Sequence, residues 1–163
     1  PAGAITASII AGSATSWFQS CLLNKGSASG VRKGMAVVTP LGVIGKVVTV
    51  TGGTAKVLLL TDPNSGIDVL VQRTRSRGIV SGSLESGTVL KYIKRSEDVQ
   101  EGDRLVTSGL DNVFPKGMLV GTVIKVRKQS RGLFQSVEVM PAVQASLVEE
   151  VMVVSGETEA VKK

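Results

Sequence analysis

The chain has 163 residues, 42% of them hydrophobic and 3% aromatic, with a formal charge of +6 and a pI of about 9.7. That much apolar side chain excludes a disordered chain, and a chain of this length buries roughly 70% of its unfolded surface, enough for one domain or two small ones. Histidine is absent and cysteine occurs once, at Cys21. This excludes Ser-His-Asp and Cys-His catalysis, an internal disulfide and a Cys-rich metal centre.

The chain opens PAGAIT. It has neither a basic, apolar, small-residue leader nor the ~18 apolar residues in a row that span a bilayer, so a segment of a longer protein is expected. SATSWFQSCLL (13–23) has the spacing of a turn or two of helix, with Trp17 and Phe18 expected against a barrel end. GSASGVRKG (26–34) has neither a Walker pattern nor a strand-to-helix setting, so its glycines are read as turn formers. From there short Val-rich runs predict strands over 35–38, 46–50, 55–60, 67–72, 77–80, 88–93, 104–107, 120–126, 136–140 and 148–154. Runs of this length, closely spaced and separated by glycine, are the pattern of an all-β barrel or sandwich. AVQASLVEEV (142–151) is the second candidate for a short helix, with Ser146 and Glu149 at capping-box spacing.

An internal echo gives the organisation. VRKGMAVVTP (31–40) returns as VQEGDRLVTS (99–108), and each copy leads to a glycine and a Val-rich run, GKVVTV (45–50) and GTVIKV (121–126). The second copy carries SGLDNVFPKGMLV where the first has PLGVI. Duplication therefore predicts two small β-barrels of similar design, with a first barrel and lead-in over 1–80, a second over 81–155, strands able to interleave, and a flexible tail over 156–163.

Candidate functional residues are few. Asp62, Asp68, Asp98, Asp103 and Asp111 each have an ordinary turn or rim explanation. Arg73, Arg75 and Arg77 follow the inward face of IDVLVQ, where charge cannot continue into a core. The chain must therefore reverse near Thr74 to Ser76, which gathers the arginines at a hairpin tip. Such a tip is either solvated, or fixes an acidic neighbour, or binds phosphate; no aromatic residue lies in the stretch to support single-stranded nucleic acid. In the enlarged loop, Val113, Phe114 and Pro115 either fold back onto the core or dock on a partner. No cofactor or metal is expected. A basic β-barrel module that binds nucleic acid is the alternative to a protein-binding module.

LTDPNSGIDVLVQRTRSRGIVSG, LLNKGSASGVRKGMAVVTPLGVIGKVV, VTSGLDNVFPKGMLVGTV and VEVMPAVQASLVEEVMVV together resemble the C-terminal, extracytoplasmic region of the bacterial rod-shape-determining MreC family. The resemblance implies a double barrel shaped like a trypsin-like protease without its catalytic residues. It further implies a non-enzymatic scaffold of the elongation machinery, periplasmic or extracytoplasmic, anchored to the plasma membrane by an N-terminal helix outside this chain. The partners it implies are the elongation-specific class B penicillin-binding protein, whose activation it promotes, RodA, MreD, MreB through the N-terminal part, and further copies of itself. Partner contact is expected at Val113, Phe114 and Pro115 or at Arg73, Arg75 and Arg77.

Overall fold

In the computed structural model, which describes residues 3–14, 19–128 and 132–155, the Val-rich runs form antiparallel strands. Branched side chains fill one face of each strand while small or polar residues take the other. β5 shows the pattern plainly: Ala55, Val57 and Leu59 point inward, and Lys56 and Leu58 are half-exposed.

Strands β1 (Ile5–Ala14), β2 (Gln19–Leu23), β3 (Ala36–Thr39), β4 (Gly42–Val50), β5 (Ala55–Leu59) and β12 (Glu150–Val154) close one barrel in the order β1-β12-β3-β4-β5-β2. Strands β6 (Ile67–Val71), β7 (Arg77–Ser83), β8 (Gly87–Lys91), β9 (Arg104–Thr107), β10 (Leu119–Arg127) and β11 (Ser136–Pro141) close the other in the order β6-β7-β8-β11-β10-β9. The expected all-β pair of barrels is what forms, with single 3-10 turns at Ser27–Ser29 and Ala145–Leu147.

The barrels superimpose strand for strand if β12 is matched with β6. Then β1, β2, β3, β4 and β5 match β7, β8, β9, β10 and β11, neighbour for neighbour. Fine detail repeats as well. Gly34 N–H donates to Val47 O and Gly102 N–H to Val123 O, both at 2.8 Å, and both glycines have left-handed φ, 93° and 91°. Gly45 and Gly121 occupy matching places where two strands cross closely. A Cβ there would stand 2.1 Å from Leu58 O and 2.5 Å from Met140 O respectively, so only glycine fits.

Three expectations are corrected. The division near residue 80 is displaced, since β6 and β7 belong to the second barrel and β12 closes the first. The physical reason is pairing: β12 fills the gap between β1 and β3, with Val153 opposite both Ile5 and Val37. The helix over 13–23 is replaced, among described residues, by β2, which pairs with both β1 and β5; Trp17 and Phe18 lie outside the described residues. The helix over 142–151 shrinks to the turn Ala145–Leu147 without a side-chain cap, because the chain must already be extended at Glu150 to enter the sheet. The tail expected over 156–163 also lies outside the described residues.

Two cores result. Leu23, Val37, Val47, Val57 and Val153 fill the first barrel. The second cluster runs from Val69, Leu90, Leu105 and Val123 across the junction to Val38, Val43, Leu60 and Val154. Asp62, with no exposed surface, secures the linker: its carboxylate accepts the N–H of Gln19 and of Asn64, each at 2.7 Å, and its carbonyl accepts Gly82 N–H at 3.1 Å. One buried residue thus fastens β2 and the linker through its side chain and β7 through its backbone.

Candidate functional site

The arginine hairpin is built by a reversal between Val71 and Arg77. Arg75 sits at its bend with φ 68°, donating its N–H to Val71 O at 2.7 Å, and Val71 N–H reaches Ser76 O at 2.8 Å. Arg73 then projects back over the start of β9. Its Nε and Nη2 grip Asp103 bidentately at 2.8 and 2.9 Å, and its Nη1 reaches Asp98 Oδ2 at 2.9 Å. Asp103 is only 7% exposed and also accepts the Gln100 N–H at 2.8 Å. The hydrogen bonds from Arg73 hold both carboxyl groups below their ordinary range, and the two carboxylates raise the Arg73 guanidinium in turn. Arg77 Nη2 pairs with Asp68 Oδ2 at 2.5 Å, while Asp68 Oδ1 is buried without a partner. Two of the three candidate arginines are therefore engaged within the chain, and Arg75 is exposed.

Asp103 was hidden from sequence reasoning by its role as a turn residue, although the repeat carried a signal. Its counterpart in the first copy is Met35, which follows the matching glycine, and Arg32 N–H meets the Met35 sulfur at 3.1 Å where Gln100 N–H meets the Asp103 carboxylate. Exchange of an apolar residue for an acid at a buried repeat position demands a cation nearby, and Arg73 supplies it.

The enlarged loop, Ser108–Met118, folds over the junction end of the second barrel. Asp111 Oδ1 accepts the Val113 N–H at 3.0 Å, Ser108 Oγ accepts the Leu110 N–H at 3.1 Å, and Thr107 Oγ1 donates to Pro115 O at 2.5 Å. Held this way, Phe114 enters the second core and is 2% exposed, with Val113 packed half-buried against the same cluster and Pro115 half-buried. Of the two alternatives for Val113, Phe114 and Pro115, Phe114 folds back onto the core and is not an exposed anchor: an aromatic ring on a tethered loop gains more by filling the barrel end than by facing water. Leu110, 62% exposed, is the apolar residue left at the surface of the loop. Beside it Arg32, Lys33, Met35, Asp111, Asn112 and Val113 line a cleft of about 240 Å³ between the loop and the first barrel.

Among the described residues no group of three His, Cys, Asp or Glu side chains is placed to hold a metal ion, and no helix is long and apolar enough to cross a membrane. Cys21 is buried in the first core, and burial pushes its thiol up to about 11.

Comparison with known proteins places this architecture. The family model of the rod shape-determining protein MreC, barrel core, matches residues 9–155. The cell shape-determining protein MreC of Cereibacter sphaeroides is 38% identical over 73% of this chain and 40% of its own length. That of Listeria monocytogenes is 35% identical over 96% of this chain and 55% of its own length. The chain therefore spans about half, or less, of these relatives. Among solved structures, MreC from Pseudomonas aeruginosa aligns with a TM-score of 0.86 at 34% identity, covering 93% of this chain and 98% of that one. The major periplasmic domain from the cell shape-determining filament MreC aligns at 0.78 and 28% identity, covering 93% and 95%. The fold is also shared, at 0.74 and 19% identity over 93% and 98%, with a chain from a complex between penicillin-binding protein PBP2 and MreC of Helicobacter pylori. The two closed barrels, the buried repeat and the match over residues 9–155 agree on one conclusion: this chain belongs to the MreC family of rod shape-determining proteins.

Proposed function

We propose that this barrel pair is a non-enzymatic docking module of the machinery that builds the wall of elongating cells, working outside the cytoplasmic membrane. Its partner is the elongation-specific class B penicillin-binding protein, whose peptidoglycan synthesis it promotes. RodA, MreD, MreB through the rest of the full-length protein, and further copies of itself are the other members of the assembly. The supporting observation is family membership across residues 9–155, together with the existence of a complex between an MreC and PBP2 in another bacterium.

The surface limits how docking is done. Both barrels are closed, so strand addition at a free edge is not available among the described residues, and contact has to be made through side chains and loops. The cleft rim is the place we assign to it, because Leu110 is exposed there and Val113 and Pro115 are half-buried beside it.

Calorimetric titration of the chain against the class B penicillin-binding protein of the same organism tests the reading. A saturable complex tighter than about 10 μM is expected, weakened at least tenfold by Leu110→Asp with Val113→Asp, because an apolar anchor at an interface contributes about 2 kcal/mol. Absence of association with the penicillin-binding protein, with other elongation proteins and with itself would refute the docking role. Saturable peptidoglycan turnover lost on changing one Ser, Asp or Glu would refute the non-enzymatic one.

A further inference from the structure

Charge is unevenly placed on this molecule. One pole of the second barrel meets the first barrel: a Cβ at Gly42 would touch Leu119 O and Ala142, and one at Gly82 would strike Thr61 O. The antiparallel order puts the end of β6, the start of β7, the end of β8, the start of β9 and the end of β10 at the opposite, far pole. There the hairpin brings Arg73, Arg75 and Arg77, and β9 opens on Arg104. The end of β8 and the residues after it add Lys91, Lys94 and Arg95, and the end of β10 adds Lys125, Arg127 and Lys128. Against these ten cations stand Asp68, Glu97, Asp98, Glu101, Asp103 and Glu138, the last opposite Lys125 in the β10–β11 ladder, so four of the chain's six net charges sit at one pole. Apart from Arg73 and Arg77, these cations enter no ion pair among the described residues.

Apolar side chains stand exposed among them. Tyr92 is 59% exposed, Leu133 64%, Ile124 46% and Phe134 39%. They are interleaved with the cations by backbone pairing: Lys94 bridges to Phe134, and Arg95 N–H donates to Leu133 O at 3.0 Å. Tyr92 holds φ 64°, rare for an aromatic residue, and its ring meets Phe134 edge-on at 5.7 Å. The loop that sets this geometry is pinned by Gln135, whose Nε2 donates to Lys94 O and Glu97 O at 2.8 and 2.9 Å.

We infer that this far pole docks on an anionic lipid bilayer surface. Cations distributed around the pole match a sheet of phosphate headgroups, and Tyr, Phe and Leu side chains between them suit the boundary between headgroups and acyl chains. A second copy of the chain is a poorer match, because outside this pole the sequence has nine cations against seven acids and so no net negative charge to answer it. A nucleic-acid strand would use aromatic faces for stacking, whereas Tyr92 and Phe134 are turned edge to face on each other and Leu133 and Ile124 cannot stack.

Flotation of the chain with vesicles tests this, using mixed phosphatidylglycerol and phosphatidylcholine against phosphatidylcholine alone, with oligodeoxythymidine as a soluble polyanion. Binding to the anionic vesicles is expected, falling steeply with salt, and none to the neutral ones. Each Lys or Arg near an anionic surface adds about fivefold to partitioning. Together, Arg75→Asn, Lys94→Gln, Arg95→Gln and Lys125→Gln should therefore weaken vesicle binding at least tenfold, with melting unchanged. Tyr92→Asn with Leu133→Ser should weaken it severalfold while leaving any oligonucleotide binding as it was. Asparagine tolerates the left-handed backbone at 92, so this variant remains folded. Failure of the parent chain to bind anionic vesicles, binding that ignores salt, or oligonucleotide binding stronger than vesicle binding would each overturn the proposal.

Discussion

Arg73 and Arg75 are two residues apart and do opposite things: one closes a buried acid into the fold and the other faces water. Arg75→Asn, which suits the positive φ, is expected to change stability by less than about 0.5 kcal/mol in urea melts. Asp103→Ala, which strips an acceptor from the Gln100 N–H and from the guanidinium, should cost about 1–3 kcal/mol. The same pair predicts a pH dependence. Asp98 and Asp103 have carboxyl pKa values lowered in the folded chain, first of all by hydrogen bonds from Arg73. Their contribution is therefore complete above the unfolded carboxylate value of about 3.9 and is lost as pH falls through the lower folded values. Melts from pH 6 downward should show the difference between the parent chain and Arg73→Gln holding steady and then shrinking below about pH 4. A constant difference would mean that the carboxylates are not the groups Arg73 stabilises.

The enlarged loop makes its point at the scale of an element, since a single ring decides whether it is a surface arm or a lid on the core. With Phe114 buried, Phe114→Ala should lower unfolding free energy by about 3 kcal/mol or more, read as a shift in denaturant midpoint with unchanged slope. A melt that did not move would return Phe114 to the surface. Much of the second barrel was legible because valines, glycines and the reversal before Arg77 agree on strand ends. β1 and β2 were not: Ile5–Ala14 is ITASIIAGSA, with small residues in place of the Val alternation, and Gln19–Leu23 mimics a helical spacing. They are strands because the barrel needs them as neighbours of β12 and β5, a tertiary demand that overrides weak local preference. The partners of the arginines were illegible for a similar reason. Asp98 and Asp103 lie 25 and 30 residues beyond Arg73, and only closure of the second barrel sets them beside it.

Across the whole molecule, duplication and displacement of one strand explain the topology. The second barrel is a continuous run from β6 to β11, whereas the first takes its equivalent of β6 from the far end of the chain. The junction cluster containing Val38, Val43 and Val154 ties this late strand to both cores, so losing it weakens more than the barrel it closes. The same arrangement has a mechanical consequence. Ile5 lies opposite Val153 and Ser8 opposite Glu150, so tension applied between residues 4 and 155 loads the β1–β12 ladder from its open end and peels it one rung at a time. A module tugged at those two points should yield at low force, whereas handles at residue 4 and at residue 85, in the turn between β7 and β8, leave the ladder's open end unloaded and should demand more before it ruptures. Optical-tweezer extension with the two handle placements measures the contrast, and equal rupture forces would refute it. Such a ladder would act as a fuse, parting the first barrel while the second stays folded.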